Sequence, residues 1–398
     1  MRTSFDAIVV GAGIAGTATA YYLTKAGLKI CLVDAISPGG GASGRNPGFL
    51  WLQTKSAGPQ MQFSLAGRHF ADTLTQELGE FGFRASGGLI IYRDEALEPL
   101  ADAFAADRRD AGLPAERIGR NALRELCPHF SDAVRGAVWN PLDAHQDTRR
   151  LLAQFVMGAQ RAGMVLRCGS RVARLVIESD RCRGIDLESG DRLSADRVVL
   201  AGGQGSGSLL EAIGLDVKFT IYKFEAAETE PAPFRVDPVV CGQALFRFFK
   251  PPGVTQIPEE LSPKQGVELL APSLGFTEQI AQYPDGRVQF GCSMRTGTTD
   301  DRPTVAGQAM GAAINALNLP GLANLSIERC WAGIVAQTAD GMPIVDADPG
   351  IEGLALNTGH FFGNLAGAIS GQLIADLMLR TTPVVDPAPL ALKRLLAA

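Results

Sequence analysis

The apolar run Ala7-Ile8-Val9-Val10, breaking into Gly11-Ala12-Gly13-Ile14-Ala15-Gly16, restricts the fold of this chain more than any other stretch. β-Branched residues in an uninterrupted apolar run fit a parallel strand covered on both faces. In G-x-G-x-x-G the first glycine permits a tight turn, the second admits a pyrophosphate to the backbone, and the third lets the next helix pack on the strand. Ile14 and Ala15 open that helix, which stops at Lys25-Ala26-Gly27, cation then glycine. A second apolar strand, Lys29 to Val33, delivers Asp34 and Ala35, and an acid at this place takes the ribose hydroxyls of an adenosine. A glycine triplet alone is only a turn. Strand, triplet, helix, strand and acid in this order specify a dinucleotide.

The remainder of the 398 residues is long enough for two lobes with their own cores. Apolar residues make up 46%, charged residues 20%, and the net charge is −5, which suits a soluble globular enzyme and gives no footing for nucleic acid. The seven cysteines are odd in number and contain no C-x-x-C, so neither zinc nor an iron–sulfur cluster is expected, and no metal of any kind. Cys31 and Cys292 sit in apolar runs and read as buried thiols, consistent with a reducing cytoplasm. No apolar export signal precedes the first strand. The stretch between Glu352 and Asp376 lacks acids and bases, but its polar residues and glycines mark strand, loop and helix, not a membrane span.

Further glycine-rich turns follow. The loop 36–48 carries Gly41, Ala42, Ser43, Arg45, Asn46, Pro47 and Gly48 before Phe49, which offers backbone donors, a hydroxyl and a guanidinium to a pyrophosphate. Residues 49–82 are expected as one or two helices, 87–92 as a strand, and 94–127 as an exposed helical excursion with little chemistry. Thr148–Ala162 reads as helix, and strands are expected at 164–167, at 171–176 around Val172, and at 191–200 leading into Ala201-Gly202-Gly203. Between Val217 and Gly291 prolines are frequent and short alternating runs such as Leu245–Phe249 predict an antiparallel sheet. A helix at 305–317, strands at 331–335, 341–345 and 354–357, and a last helix from near Leu365 complete the chain.

As an ordered set these pieces resemble the D-amino-acid oxidase superfamily of FAD enzymes, which includes glycine oxidases, sarcosine oxidases, D-amino-acid dehydrogenases and the flavin subunits of opine and proline dehydrogenases. The carriers are Gly11–Gly16 with Asp34, the Gly41/Ser43/Arg45/Asn46/Gly48 stretch, Val172, Leu200–Gly203, Trp331-Ala332-Gly333 with Asp340–Pro343, and Thr358-Gly359-His360 before Gly363-Asn364. The resemblance implies an α/β fold, a Rossmann-type FAD-binding domain with an antiparallel-sheet substrate-binding domain as in glycine oxidases. It divides the chain into FAD-binding segments 1–85, 147–216 and 326–398, a substrate-domain excursion at 86–146 and the substrate sheet at 217–325. It implies adenosine at Asp34 and Val172, pyrophosphate at Gly11–Gly16, Ser43 and Arg45, and the flavin ring between Asn46–Phe49 and Gly363, Asn364, Leu365, Ala366 and Gly367. The loop 41–48 holds no His or Cys, so the FAD is expected to be non-covalent.

The implied chemistry is oxidation of a C–N bond to an imine, by hydride transfer to flavin N5. The chain departs from its relatives at Val335, where those acting on amino acids carry an arginine that clamps the substrate carboxylate. Arg295, Arg247 and Lys223 are candidate replacements; otherwise the substrate lacks a carboxylate. Gln204 stands where many relatives have tryptophan. His360 is placed near the flavin, with a capping role weighed above a catalytic one, and His69, His129 and His145 have no partner pattern. The partner is then a small amine or amino acid, and the electron acceptor is oxygen or another carrier. The alternatives are a flavin subunit active only inside a larger assembly, or a flavoprotein without amino-acid oxidase activity.

Overall fold

The computed structural model describes residues 4–248, 254 and 274–396. It runs β1 (Phe5–Val10), α1 (Ile14–Lys25), β2 (Ile30–Val33), β3 (Phe49–Leu50), α2 (Pro59–Leu78), β4 (Gly88–Tyr92), α3 (Glu98–Asp110), β5 (Glu116–Gly119), α4 (Arg120–Leu126), β6 (Gly136–Asn140) and β7 (Ala144–His145). Then come α5 (Thr148–Arg161), β8 (Val165–Arg167), β9 (Val172–Glu178), β10 (Arg181–Leu187), β11 (Arg192–Leu200), α6 (Ser206–Glu211), β12 (Phe219–Pro231), β13 (Val239–Gly242) and α7 (Leu245–Phe248). The chain closes with β14 (Gly275–Gln282), β15 (Arg287–Thr296), α8 (Val305–Asn318), β16 (Ile327–Thr338), β17 (Ile344–Asp346), β18 (Leu354–Thr358), α9 (Gly363–Leu379) and α10 (Lys393–Leu396).

The first sheet has the order β17-β18-β11-β1-β2-β8, with β9 and β10 attached to β11 as an antiparallel ribbon. Its centre is parallel, and Ile8, Val9, Leu32 and Val199 are wholly buried, as the apolar run requires. Register decides what this sheet presents. Val10 pairs with both Val33 and Leu200, so Gly11, Asp34 and Ala201 leave the carboxyl edge side by side.

The second sheet, β16-β12-β15-β14-β13-β4-β6-β5, is antiparallel except for the parallel pair β13–β4. It draws β4, β5 and β6 from the excursion at 86–146, and β5 falls inside the stretch 94–127, which is therefore not wholly helical. Leu97, Leu100, Phe104, Leu113 and Leu123 of that excursion are buried. The boundary expected at residue 326 also shifts, because β16 belongs to this sheet and the chain returns to the first sheet only with β17. The run 245–248 is the short helix α7, not a strand: in so few residues alternation cannot separate the two. Phe249 and prolines 251, 252, 258, 263 and 272 lie outside the described residues. Phe49–Leu50 forms a strand ahead of α2, pairing with β7. Among the described residues no helix is long and apolar enough to cross a membrane.

Candidate active site

The dinucleotide cradle is set by close backbone approach. Gly11 has φ +101°, and a Cβ there would strike the Ala201 carbonyl; a Cβ on Gly16 would strike the Gly11 carbonyl. The N-terminus of α1, capped by Gly13, has no side-chain cap and no acid in its first turn, and the same is true of α9 after Phe362. A Cβ on Gly367 would collide with Ile14, so these two N-termini lie against each other. Two positive helix ends side by side, neither capped by its own N-cap side chain, could receive a phosphate or an electron-rich carbonyl. Asp34 Oδ2 accepts the Ala12 N–H at 2.7 Å and Oδ1 accepts the Ile36 N–H at 2.7 Å, which holds the carboxylate at the turn. Ser170 N–H donates to the Asp34 carbonyl, bringing the start of β9 and Val172 alongside.

The loop 41–48 is anchored from three sides. Ser43 Oγ accepts the Ile14 N–H at 3.0 Å, tying the loop to the first turn of α1. Asn46 Oδ1 accepts the Gly48 N–H and faces the Thr148 hydroxyl, which lies 2.9 Å from Asn364 Oδ1. Thr148 thus joins the loop to α9. Gln146, whose side chain reaches the Asn364 carbonyl, supports the same junction. Arg45 turns its guanidinium to Asp301 and to the Ala332 carbonyl, while its own carbonyl accepts the Trp331 indole N–H at 2.9 Å. A cavity of about 780 Å³ runs along this loop, lined by Gly39, Gly40, Gly44, Arg45, Arg149 and Trp331.

The loop adjoins an aromatic cleft. Residues directly opposite in an antiparallel ladder project to the same face. Tyr222 pairs with Val335, and Phe224 with Gly333 and Met294, so these side chains share the face that meets Arg45 and Phe361. Tyr222 and Phe361 stack edge-on at 5.1 Å, and Phe361 and Phe362 at 4.7 Å. All of these rings are half-buried, as borders of a cleft should be.

Two of the three candidate cations are not there. Lys223 pairs with Arg295 and Ile334, which puts both cations on the other face of the sheet. Lys223 Nζ donates to the Arg302 carbonyl at 2.5 Å and lies 3.8 Å from Glu225, whose carboxylate accepts the Thr304 N–H at the start of α8. Its task is to seat α8. Arg295 Nε is buried without a hydrogen-bond partner among the described residues. The side chain of Arg247, in α7, lies outside the described residues.

A cation that the sequence reading missed lies buried against Phe362, one of the rings that border the cleft. Lys55 is wholly buried, its Nζ 2.9 Å from the centroid of the Phe362 ring, and burial pulls its pKa well below the usual lysine value. Asp143, equally buried, accepts the Leu52 N–H at 2.6 Å and the Gln53 side chain at 2.8 Å; burial raises its pKa to about 6. Arg108 of α3 donates to the carbonyls of Gln53 and Lys55, so the excursion braces the turn that carries the lysine. The only local cue is a lysine following the apolar run Phe49–Leu52.

His360 Nε2 lies 2.9 Å from Ser370 Oγ, about two turns into α9, and burial lowers its pKa to about 4. It is a neutral ring tying the 358–362 turn to the helix, the capping role weighed for it above. His145 is wholly buried beside Gly48 and Tyr283, with its pKa lowered to about 3 by burial and by Arg84.

With this geometry established, comparison with known proteins gives a consistent answer. The DAO family model, described as FAD dependent oxidoreductase, matches residues 6–377. A glycine oxidase from Bacillus licheniformis is 25% identical over 95% of this chain and 94% of its own length. The hydrogen cyanide synthase subunit HcnC from Pseudomonas protegens is 23% identical over 100% of this chain and 98% of its own. The crystal structure of glycine oxidase from Geobacillus kaustophilus superposes with a TM-score of 0.83 at 24% identity, covering 98% of this chain and 99% of that one.

Proposed function

The chain belongs to the DAO family of FAD-dependent oxidoreductases, and from that premise we propose that it oxidises the C–N bond of a small amine or amino acid. The observation that carries the reading is the junction of the two positive helix ends of α1 and α9 with the cleft walled by Tyr222, Phe224, Phe361 and Phe362. The residues present fit non-covalent FAD: a glycine cradle that any Cβ would fill, Asp34 at the ribose position, and no His or Cys in the 41–48 loop. Gly11, Gly13 and Ser43 would hold the pyrophosphate, Asp34 and Val172 the adenosine, and Asn46, Gly363 and Asn364 the ring system.

The chemistry that FAD supplies when bound is acceptance, at N5, of the hydride from the carbon next to the substrate nitrogen. The chain has three tasks around that step. The positive end of α9 favours negative charge on the reduced ring. The aromatic walls exclude water and favour an uncharged amine over an ammonium, since a bare cation in an apolar cleft loses its hydration. The sheet face carrying Val335 offers the substrate a surface without charge. We assign the protein to a reducing cytoplasm, on the strength of its cysteine pattern.

The test is anaerobic flavin reduction across primary and secondary amines, N-methylated amino acids, D-amino acids and opines. Bleaching with some member of the set is the expected result. A purified protein that stays colourless after reconstitution with FAD overturns the reading. The similarity to HcnC, a protein named as a subunit, favours a second reading in which electrons leave through a partner chain. Rapid hydrogen peroxide formation by the isolated chain would rule out that dependence and identify oxygen as the acceptor.

A further inference from the structure

We propose that Lys55 is the anion anchor of the substrate site, binding the carboxylate of an amine substrate that carries one. The inference rests on the amine-oxidoreductase reading above and names the substrate class within it.

Four observations support it. Val335 leaves the usual clamp position without charge, and the register turns Lys223 and Arg295 to the opposite face. Lys55 Nζ has one hydrogen bond, to Thr54 Oγ1 at 3.2 Å, and no ion-pair partner among the described residues; the buried Asp143 acts on it only from beyond ion-pair distance. An ammonium offers three donors, so two are uncommitted. The ring lying over Nζ belongs to Phe362, and through Phe361 and Tyr222 it is continuous with the cleft wall that bears Val335. Finally, the turn beneath is rigid, held by Arg108 from α3 and by Asp143 at Leu52 and Gln53.

Burial disfavours the ammonium and the Arg108 guanidinium adds to that, while the Asp143 carboxyl and the Cys241 thiol oppose it; burial is the largest of these, so the empty site is biased toward the neutral amine. A carboxylate arriving beside it reverses the balance. The amine takes one proton from solvent, and the ammonium so formed donates to the carboxylate oxygens. No bond to carbon is made or broken; the carboxylate brings one negative charge and the proton taken from solvent cancels it, so the bound pair is neutral. Binding is therefore coupled to uptake of one proton per ligand, and affinity for carboxylates falls as pH rises above the free-enzyme pKa of Lys55. A surface lysine or a permanently charged arginine would not produce that uptake.

The experiment titrates the FAD-loaded protein with benzoate and with benzamide, its uncharged counterpart, by calorimetry in two buffers of different ionisation enthalpy at pH 7.5. Benzoate is expected to bind the wild type with uptake of about one proton. In Lys55→Met its affinity should fall at least tenfold, with benzamide moving less than twofold. Absence of benzoate binding, binding without proton uptake, or a Lys55→Met variant within twofold of the wild type each overturns the proposal. The proton count needs no variant, so a poorly folding Lys55→Met leaves the test intact. In parallel, the ratio of kcat/KM for carboxylated over carboxylate-free amines should drop at least tenfold in Lys55→Met. If no amine reduces the flavin of the wild type, the oxidoreductase reading fails, while the benzoate titration still decides Lys55.

Discussion

Val335 stands directly across the β12–β16 ladder from Tyr222, whereas Lys223, one residue further along β12, stands across from Ile334. One step along a strand moves a side chain to the opposite face of the sheet. That step separates a residue at the cleft from a residue that seats a helix, and it leaves the cleft wall apolar where the family resemblance implies a guanidinium.

Val335→Arg should therefore restore the clamp. Its side chain would leave the sheet beside Tyr222, at a half-buried position that opens on the cleft. A bidentate guanidinium–carboxylate contact contributes about 1.5–3 kcal/mol, a gain of roughly tenfold to a hundredfold in kcat/KM for simple amino acids. Stopped-flow flavin reduction with glycine, sarcosine and a carboxylate-free amine measures it. An equal change for all three would show that position 335 does not select the carboxylate.

Gly16→Ala should disable cofactor binding. The new Cβ would press on the Gly11 carbonyl, forcing α1 away from β1 and opening the cradle. Overpacking of this kind costs about 1–3 kcal/mol, and the turn it displaces is the one that would face the pyrophosphate of a bound dinucleotide. The expected outcome is a purified protein with little flavin absorbance and a lowered melting temperature. Normal flavin content would show that the cradle tolerates the shift.

Stability should fall as the medium is acidified below about pH 6.5. His360 and His145 have folded-state pKa values of about 4 and about 3, below the ordinary histidine value. The folded state binds fewer protons than the unfolded chain in that window, so stability present at neutral pH is lost as pH falls, at up to about 1.4 kcal/mol per unit for each ring. Asp143 opposes them. Its raised pKa of about 6 keeps it protonated when folded, a contribution present at low pH and lost as pH rises toward 6. Urea midpoints at pH 7.5 and 5.0 for the wild type and His145→Gln check the balance, and the variant should show the smaller loss. Equal losses in both proteins would show that His145 titrates normally.

Glu228→Gln should be among the most destabilising single changes. Glu228 is 1% exposed and accepts from Arg149 at 3.2 Å, from Arg329 at 2.8 Å and from Arg287. The Arg149 and Arg287 guanidinium groups lie 5.2 Å and 5.5 Å from the centroid of the Tyr283 ring. Neutralising the acid leaves three cations without their common partner. Since the arginines are partly exposed, the expected cost is about 2–3 kcal/mol, below the range for fully buried pairs. Chemical denaturation measures it, and a loss under about 0.5 kcal/mol, the size of an ordinary surface substitution, would contradict the hub.

What the sequence made legible follows the range of the interactions involved. Gly11, Gly13, Gly16 and Asp34 act within one βαβ unit, so their order along the chain already specified their placement. Ser43 and Asn46 were readable as polar residues of the loop, but not the Thr148 hydroxyl that joins Asn46 to Asn364, because its contact with Asn364 spans 216 residues. Lys223 and Arg295 were misplaced because composition names a cation without saying which way the strand turns it. Lys55 and Arg108 escaped notice for a related reason: burial of a charge is a property of the packed molecule. The excursion looked exposed because its charges dominate the count, although Leu100, Phe104 and Leu113 point inward.

Arg45 grips β16 at both of its ends, the guanidinium on the Ala332 carbonyl and its own carbonyl under the Trp331 indole, and Gly333 packs on the same backbone. The nucleotide loop and the strand that carries Val335 therefore move as one jaw. The loop cannot swing out to release its dinucleotide without dragging the wall of the catalytic chamber with it. Shedding of the cofactor and widening of the chamber become a single event, and a ligand lodged against Val335 will slow the departure of a molecule it touches at only one end.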